Sequence, residues 1–312
     1  MTIHTIKTED QHVHGSFSKE YEPILSVNSG DTIRFNSLDI GWGYSSSKGV
    51  ERKRYQSREQ ESTWGHPIIG PIRVNGAKPG MTLEIKINDL VPGWYGWNCA
   101  GGKMNWHNEQ LGLTDVEELT LNWELDRVKQ VAKTEINNQP FSVPLQPFLG
   151  LMSNAPSEEG VHSTIPPRYF GGNIDCKELV RGSSLFLPIA VDGALFSAGD
   201  GHALQGDGEV SGQAIECPMD LVDLTLIVHD NLTLSSPRAN TPVGWITFGF
   251  HEDLNVAMVM ALEEMITFIQ EHYNVSKPEA TALASVVVDL RITQIVNQVK
   301  GVHAVLPHGA IR

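Results

Sequence analysis

Gly70-Pro71-Ile72-Arg73-Val74-Asn75-Gly76-Ala77-Lys78-Pro79-Gly80-Met81-Thr82-Leu83-Glu84-Ile85-Lys86-Ile87 is the stretch whose reading decides the fold. Gly70 to Val74 is a short apolar run that leads into Asn75-Gly76, a dipeptide suited to tight turns between strands. Pro79-Gly80 makes a second turn. Leu83, Ile85 and Ile87 then alternate with polar partners, and a period of two is what a half-buried strand requires. Outward from this stretch the pattern repeats. Pro23 to Val27 runs into the turn Asn28-Ser29-Gly30-Asp31, and Thr32 to Phe35 places Ile33 and Phe35 on one face. Val222, Leu224, Leu226 and Val228 share a face further on, and Trp245 to Phe250 is expected to pair near them. Short strands at regular spacing predict a mainly β chain of sandwich and barrel-like parts.

Helical patterning appears late. Leu254, Met258, Leu262, Met265 and Ile269 follow helical spacing behind Asp253 as N-cap. Ser276-Lys277-Pro278-Glu279 is a capping box with proline in the first turn, and Leu283, Ala284 and Val287 give a second apolar face. A strand around Leu290 and Ile292 completes a smaller α+β C-terminal portion. The expected division is an N-terminal β-rich domain over 1–140, a central β domain over 141–245 and the α+β portion over 246–312, with the proline-rich region Pro140 to Pro167 crossing between sub-structures.

Composition narrows the function classes. The 312 residues hold 29 glycines and 17 prolines, more punctuation than a helical bundle wants. The formal charge of −14 leaves no basic footprint for nucleic acid. Lys48 to Arg58 is a basic cluster, but Glu51 and Glu59 interrupt it and it reads as a solvated loop. The longest apolar run is Val256 to Leu262, far short of the roughly 20 residues of a membrane span. MTIHTIKTEDQHVHG lacks the charged and apolar regions of a signal peptide, so the cytoplasm is the expected compartment. Cys99, Cys176 and Cys217 are odd in number and widely spaced, which argues against a disulfide framework or a zinc ribbon.

The densest polar constellation is Val191 to Glu209, which contains Gly199-Asp200-Gly201-His202 and Asp207-Gly208-Glu209. Glycines permit close backbone approach, so this run can curl around an ion or small ligand. In extended chain Asp200 and His202 point the same way and can reach one metal, and Asp207 and Glu209 repeat that spacing. Asp-Gly pairs also form ordinary turns, and carboxylates with carbonyls also suit calcium. Asp39 follows a strand, His66 precedes a proline, and Gly171-Gly172-Asn173-Ile174-Asp175 is a second glycine-rich turn ending in an acid. Glu216 lies in an apolar context where a carboxylate is costly unless paired or coordinating. His303 reads as a packed structural histidine. No Gly-x-Ser-x-Gly elbow, P-loop or dinucleotide fingerprint is present.

Three segments resemble the acetamidase/formamidase family: His66 to Ile87, Ser163 to Asp220 and Asp289 to Pro307. The resemblance implies a β-rich fold with a jelly-roll-like portion. It also implies metal-dependent hydrolysis of short amides such as formamide or acetamide to ammonia and a carboxylate. It implies a divalent metal, zinc before calcium, with His66, Asp200 and His202 as the foremost ligands and Asp39 and Glu216 as weaker ones. Asn173, Asp175 and Glu209 match the polar lining, with Glu209 or Glu216 as proton shuttle and Asn173 bonding the amide or its oxyanion. Trp42 to Thr63 and Trp94 to Trp97 depart from the family pattern in places that would shape the pocket, which leaves the substrate open. Cys176 and Cys217 sit where threonine also fits that pattern, so a cysteine nucleophile is not expected.

Other functions stay open at this point. The same loops suit a non-catalytic β-sandwich holding a metal and a small ligand, or a hydrolase of a urea-like or carbamoyl compound. A chain that works only in an assembly is a third, and a homodimer is the expected state because two-fold assemblies are commonest.

Overall fold

Strand Thr82–Pro92, begun by the decisive alternation, lies inside a nine-stranded sheet. The computed structural model describes residues 1–59, 65–102 and 104–312, so Gln60 to Thr63 of the Trp42–Thr63 departure lie outside the described residues. The sheet runs Ile3–Thr5, Asp31–Ser37, Met219–His229, Thr82–Pro92, Ser184–Pro188, Arg238–Thr241, Gly244–His251, Val299–Pro307 and Asp289–Asn297 in that order. A second sheet orders Gly171–Asn173, Phe148–Ser153, Phe196–His202, Ile68–Asn75 and Val13–His14, with Leu25–Asn28 parallel to Ile68–Asn75. The meander Tyr95–Ala100, Leu119–Asp126, Val131–Ile136 and Gln139–Pro144 forms a four-stranded third.

The two larger sheets share one apolar cluster. Ile33, Leu83 and Leu224 enter it from the first and Ile69, Phe148 and Phe196 from the second, so the core is that of a sandwich. Leu83, Ile85 and Ile87 are 0%, 0% and 2% exposed, as the alternation requires. Each such side chain contributes roughly 1.5–3 kcal/mol by leaving water. The boundaries at 140 and 245 do not delimit separate sheets, because the nine-stranded sheet takes strands from all three stretches. Much of Pro140 to Pro167 is strand rather than crossing, in Gln139–Pro144 and Phe148–Ser153.

Two local expectations are corrected. Gly244–His251 does not neighbour Met219–His229; Arg238–Thr241 and Val299–Pro307 occupy its two edges. The helix Leu254–Tyr273 is capped by Asp253, which accepts from the Asn255 N–H, and it buries the expected Met265 and Ile269, with Met258 and Leu262 partly buried beside them, but it also buries Ala257, Ala261 and Phe268 and leaves Leu254 exposed. The reason is close approach to the sheet: a Cβ on Gly249 would lie 2.0 Å from the Ala257 carbonyl oxygen. Large residues mark the periodicity, while small ones decide which face docks. The second helix, Lys277–Val287, carries the expected Ser276/Glu279 capping box. Among the described residues no helix is long and apolar enough to cross a membrane.

Candidate active site

Strand Phe196–His202 lies between Phe148–Ser153 and Ile68–Asn75 and delivers Asp200 and His202 to its end. Their side chains meet, with Asp200 Oδ2 3.3 Å from His202 Nε2, although Asp200 departs from the extended backbone that the i, i+2 spacing assumed. Glu216 faces His202 across an antiparallel bridge and brings Oε2 to 3.3 Å from the same nitrogen. Asp175 Oδ1 lies 3.9 Å from His202 Nδ1. Glu209 joins His202 and Glu216, with ligand atoms of all three within 4.8 Å of one another; Asp175, Asp200 and His202 form an overlapping group of the same kind. All five residues are buried.

The backbone is strained to make this convergence. Asp175, Asp200 and Glu209 have φ of 53°, 60° and 47°, the left-handed region that non-glycine residues enter at a cost. Gly150 leaves the necessary space: a Cβ there would stand 2.3 Å from Asp175 Oδ1 and 2.4 Å from Asp200 Oδ2. The Gly150 carbonyl accepts from the Ile174 and Asp175 N–H groups, which fixes the turn carrying Asp175. Asn297 Nδ2 donates to Asp175 Oδ2, and Gln205 Nε2 donates to the Asp175 carbonyl at 2.8 Å. Phe148 meets the His202 ring edge-on at 4.9 Å.

Four carboxylates around one imidazole, out of water, set each other's proton affinity. Burial pushes Asp175 up to about 8 against the pull of His202, and neighbouring acids push the same way. Burial raises Glu216, and raises Glu209 well above the carboxylate range. Asp200 behaves oppositely: burial opposes its charge, but His202 and His66 hold it down to about 2. Burial disfavours a charged His202, yet Glu216 and Asp200 drive its affinity well above the ordinary histidine value. Asp175 Oδ1, Glu209 Oε2, Glu216 Oε2 and His202 Nδ1 are buried without a hydrogen-bond partner, as is Asn173 Oδ1 on the strand leading to Asp175.

His66 lies near this group, close enough that Asp200 and His202 act on its proton affinity, which burial lowers. Its Nδ1 is 3.0 Å from Thr164 Oγ1, which also accepts the His66 N–H. Asp39 is engaged otherwise. Its carboxylate takes Arg52 Nε at 2.7 Å and Nη2 at 2.5 Å, Tyr95 Oη at 2.6 Å and the Gly43 N–H. That saturation leaves it an ion-pair partner rather than a ligand. Asp207, expected to mirror Glu209, is exposed and pairs with Lys177 at 2.6 Å. The left-handed turn at Gly208 and Glu209 breaks the extended geometry that the spacing assumed.

A second buried trio, Cys176, Glu178 and His303, lies close together. There Lys177 and Arg291 bond Glu178 Oε1 at 2.8 and 3.0 Å, so positive charge is already supplied and the trio is an ion-pair network. Burial raises the Cys176 thiol well above its ordinary value, in keeping with a structural cysteine. Gly150, Gln205, Asn297 and Thr164 escape sequence reasoning. Neutral, they advertise no chemistry, and each acts only through a neighbour distant in the chain.

The model of the Acetamidase/Formamidase family matches residues 2–163 and 158–310. The chain belongs to the acetamidase/formamidase family. The Acetamidase of Mycolicibacterium smegmatis is 29% identical over 220 residues, covering 50% of this chain and 53% of the relative. The Formamidase of Methylophilus methylotrophus is 24% identical over 249 residues, covering 65% and 60%. The chain thus spans between about half and three fifths of the length of these curated relatives. The crystal structure of an Acetamidase from Bacillus halodurans is 29% identical with a TM-score of 0.81, covering 97% of each chain. That of a predicted acetamidase/formamidase from Thermoanaerobacter tengcongensis is 28% identical at 0.82, covering 98% of this chain and 96% of that one.

Proposed function

We propose that the protein hydrolyses the C–N bond of small linear amides, of the formamide and acetamide type, to ammonia and a carboxylate. The observation that carries this is the set of buried, unpartnered carboxylate oxygens on Asp175, Glu209 and Glu216 around His202. Buried charge of one sign is costly unless protons or a cation offset it. The donor set fits a divalent metal. His202, Asp200 and Asp175 would hold it, with Glu216, Glu209 and His66 adjoining. The imidazole nitrogen favours zinc over calcium, which prefers oxygen donors throughout. When bound, such a cation polarises a carbonyl and makes water a better nucleophile near neutral pH.

The chain's own residues supply the rest. Glu216, with its free Oε2, takes a proton from the attacking water as the new C–O bond forms. Glu209 stands within reach as the alternative shuttle. The proton then passes to the amide nitrogen, the C–N bond breaks, and ammonia leaves with the carboxylate as second product. The free Asn173 Oδ1 can accept from the substrate N–H, and its amide N–H can bond the oxyanion. Burial raises the Glu216 carboxyl above its ordinary value, which makes it a stronger base towards the attacking water than a solvent-exposed glutamate.

The setting we assign is a cytoplasmic homodimer, for which light scattering is the check. The activity itself is tested by ammonia release from formamide with the purified protein. Turnover should fall about a thousandfold in Glu216→Gln, within the range for loss of a general base. Unchanged turnover in both Glu216→Gln and Glu209→Gln would remove this mechanism.

A further inference from the structure

We infer that the site carries an acyl-group subsite for flat, uncharged aromatic chains, so that an arylacetamide is a better substrate than acetamide; this rests on the amidase reading above. A cavity of about 800 Å³ lies against the strand Tyr95–Ala100 and the meander that continues it. Trp94, Tyr95, Trp97 and Trp123 line it. The Tyr95 and Trp97 rings are parallel to within 10°, with centroids 6.2 Å apart. That volume is of the size that holds drug-like ligands, and acetamide would fill a small part of it.

Register connects the cavity to the acids. Glu216, outside any strand, forms one isolated antiparallel bridge with Trp97 of strand Tyr95–Ala100 and another with His202 of strand Phe196–His202. Phe148 lies opposite His202 and extends the row. Residues directly opposite in antiparallel pairs project from the same face. Trp97 is therefore the next side chain after Glu216 on the face that holds the candidate site. Neighbouring strands are about 4.8 Å apart, close to the step from a carboxamide carbon across one methylene to a ring. A carboxamide beside Glu216 Oε2 would thus set its aryl group against Trp97.

Charge pairing selects a neutral occupant. The three cations at the cavity are already engaged, Arg52 by Asp39 at 2.5 Å, Lys48 by Glu124 at 2.9 Å and Lys133 by Asp126 at 3.3 Å. An acyl chain bearing its own carboxylate would have to break one of these pairs. Aromatic walls instead reward a flat apolar ring by offset stacking.

The test is ammonia release from phenylacetamide and acetamide, with phenylacetate and acetate as competing products. The wild-type protein should favour phenylacetamide by roughly tenfold in kcat/KM, and phenylacetate should inhibit at lower concentration than acetate. Trp97→Ala should lower the phenylacetamide-to-acetamide ratio by about tenfold, while Trp97→Phe, which keeps a stacking ring, should hold it within about threefold. Acetamide turnover with no preference for phenylacetamide, and no tighter inhibition by phenylacetate, would overturn the subsite and leave the amidase reading intact. Ammonia from neither amide would overturn the amidase reading, and the subsite with it.

Discussion

Replacing Gly150 by alanine adds one methyl group at the point where the candidate site is closed. The new Cβ would stand 2.3 Å from Asp175 Oδ1, 2.4 Å from Asp200 Oδ2 and 2.8 Å from His202 Cε1. The two oxygens would have to retreat about an ångström to reach ordinary contact at 3.4 Å. Neither is free to do so cheaply. Asn297 holds the other Asp175 oxygen, His202 holds Asp200, and the Gly150 carbonyl ties the wall to the Asp175 turn. Overpacking of this kind costs about 1–3 kcal/mol of stability. For a chain of this length about 2 kcal/mol corresponds to a fall in Tm of about 3 °C. Activity should suffer more, since displacement of a catalytic group by about 1 Å costs roughly a hundredfold. The assay is ammonia release from formamide, with metal content by elemental analysis and Tm by calorimetry on the same preparation. Gly206→Ala is the control, because a Cβ there meets nothing within 4 Å. If Gly150→Ala keeps turnover and metal content within twofold of the wild type, the carboxylates around His202 do not form the working site.

Other outcomes follow from the same geometry. His202→Ala should abolish formamide turnover and reduce bound zinc, read by ammonia release and elemental analysis together; full activity would exclude His202. Prolonged chelation should lower Tm as well as activity, because a ligand that binds only the folded state stabilises it, and zinc should restore both. Asp39→Asn should cost about 3 kcal/mol in urea unfolding by leaving Arg52 with a neutral partner, and should leave metal content intact. Burial lowers His14 from 6.5 to about 4, opposed by its bond to the Ser16 carbonyl and aided by Arg58, with the Tyr21 ring edge-on and Ser197 Oγ at 3.0 Å. The unfolded chain then binds a proton that the folded chain does not between those values. Stability should therefore decline as pH falls from 6.5 towards 4, by up to about 3 kcal/mol from this residue. His14→Gln should flatten that slope; an unchanged slope would count against the assignment.

Local rules alone determined the strands, the caps and the short-range part of the site. Alternation at Leu83, Ile85 and Ile87 requires an extended chain with one wet face, and the Ser276 capping box closes its own helix end. Asp200 and His202 come together at the end of one strand, although Asp200 itself turns left-handed. Tertiary structure decided what depended on distant partners. Asp39 looked like a ligand until Arg52 and Tyr95 occupied its carboxylate, and Asp207 parted from Glu209 where the chain turns left-handed at Gly208, pairing instead with Lys177. The helix Leu254–Tyr273 docked through its alanines because Gly249 lets the backbone come close. Asp175 joined Asp200 and His202 across the space that Gly150 leaves open. A missing side chain carries no chemical signature along the chain; its effect exists only once other strands pack against the gap.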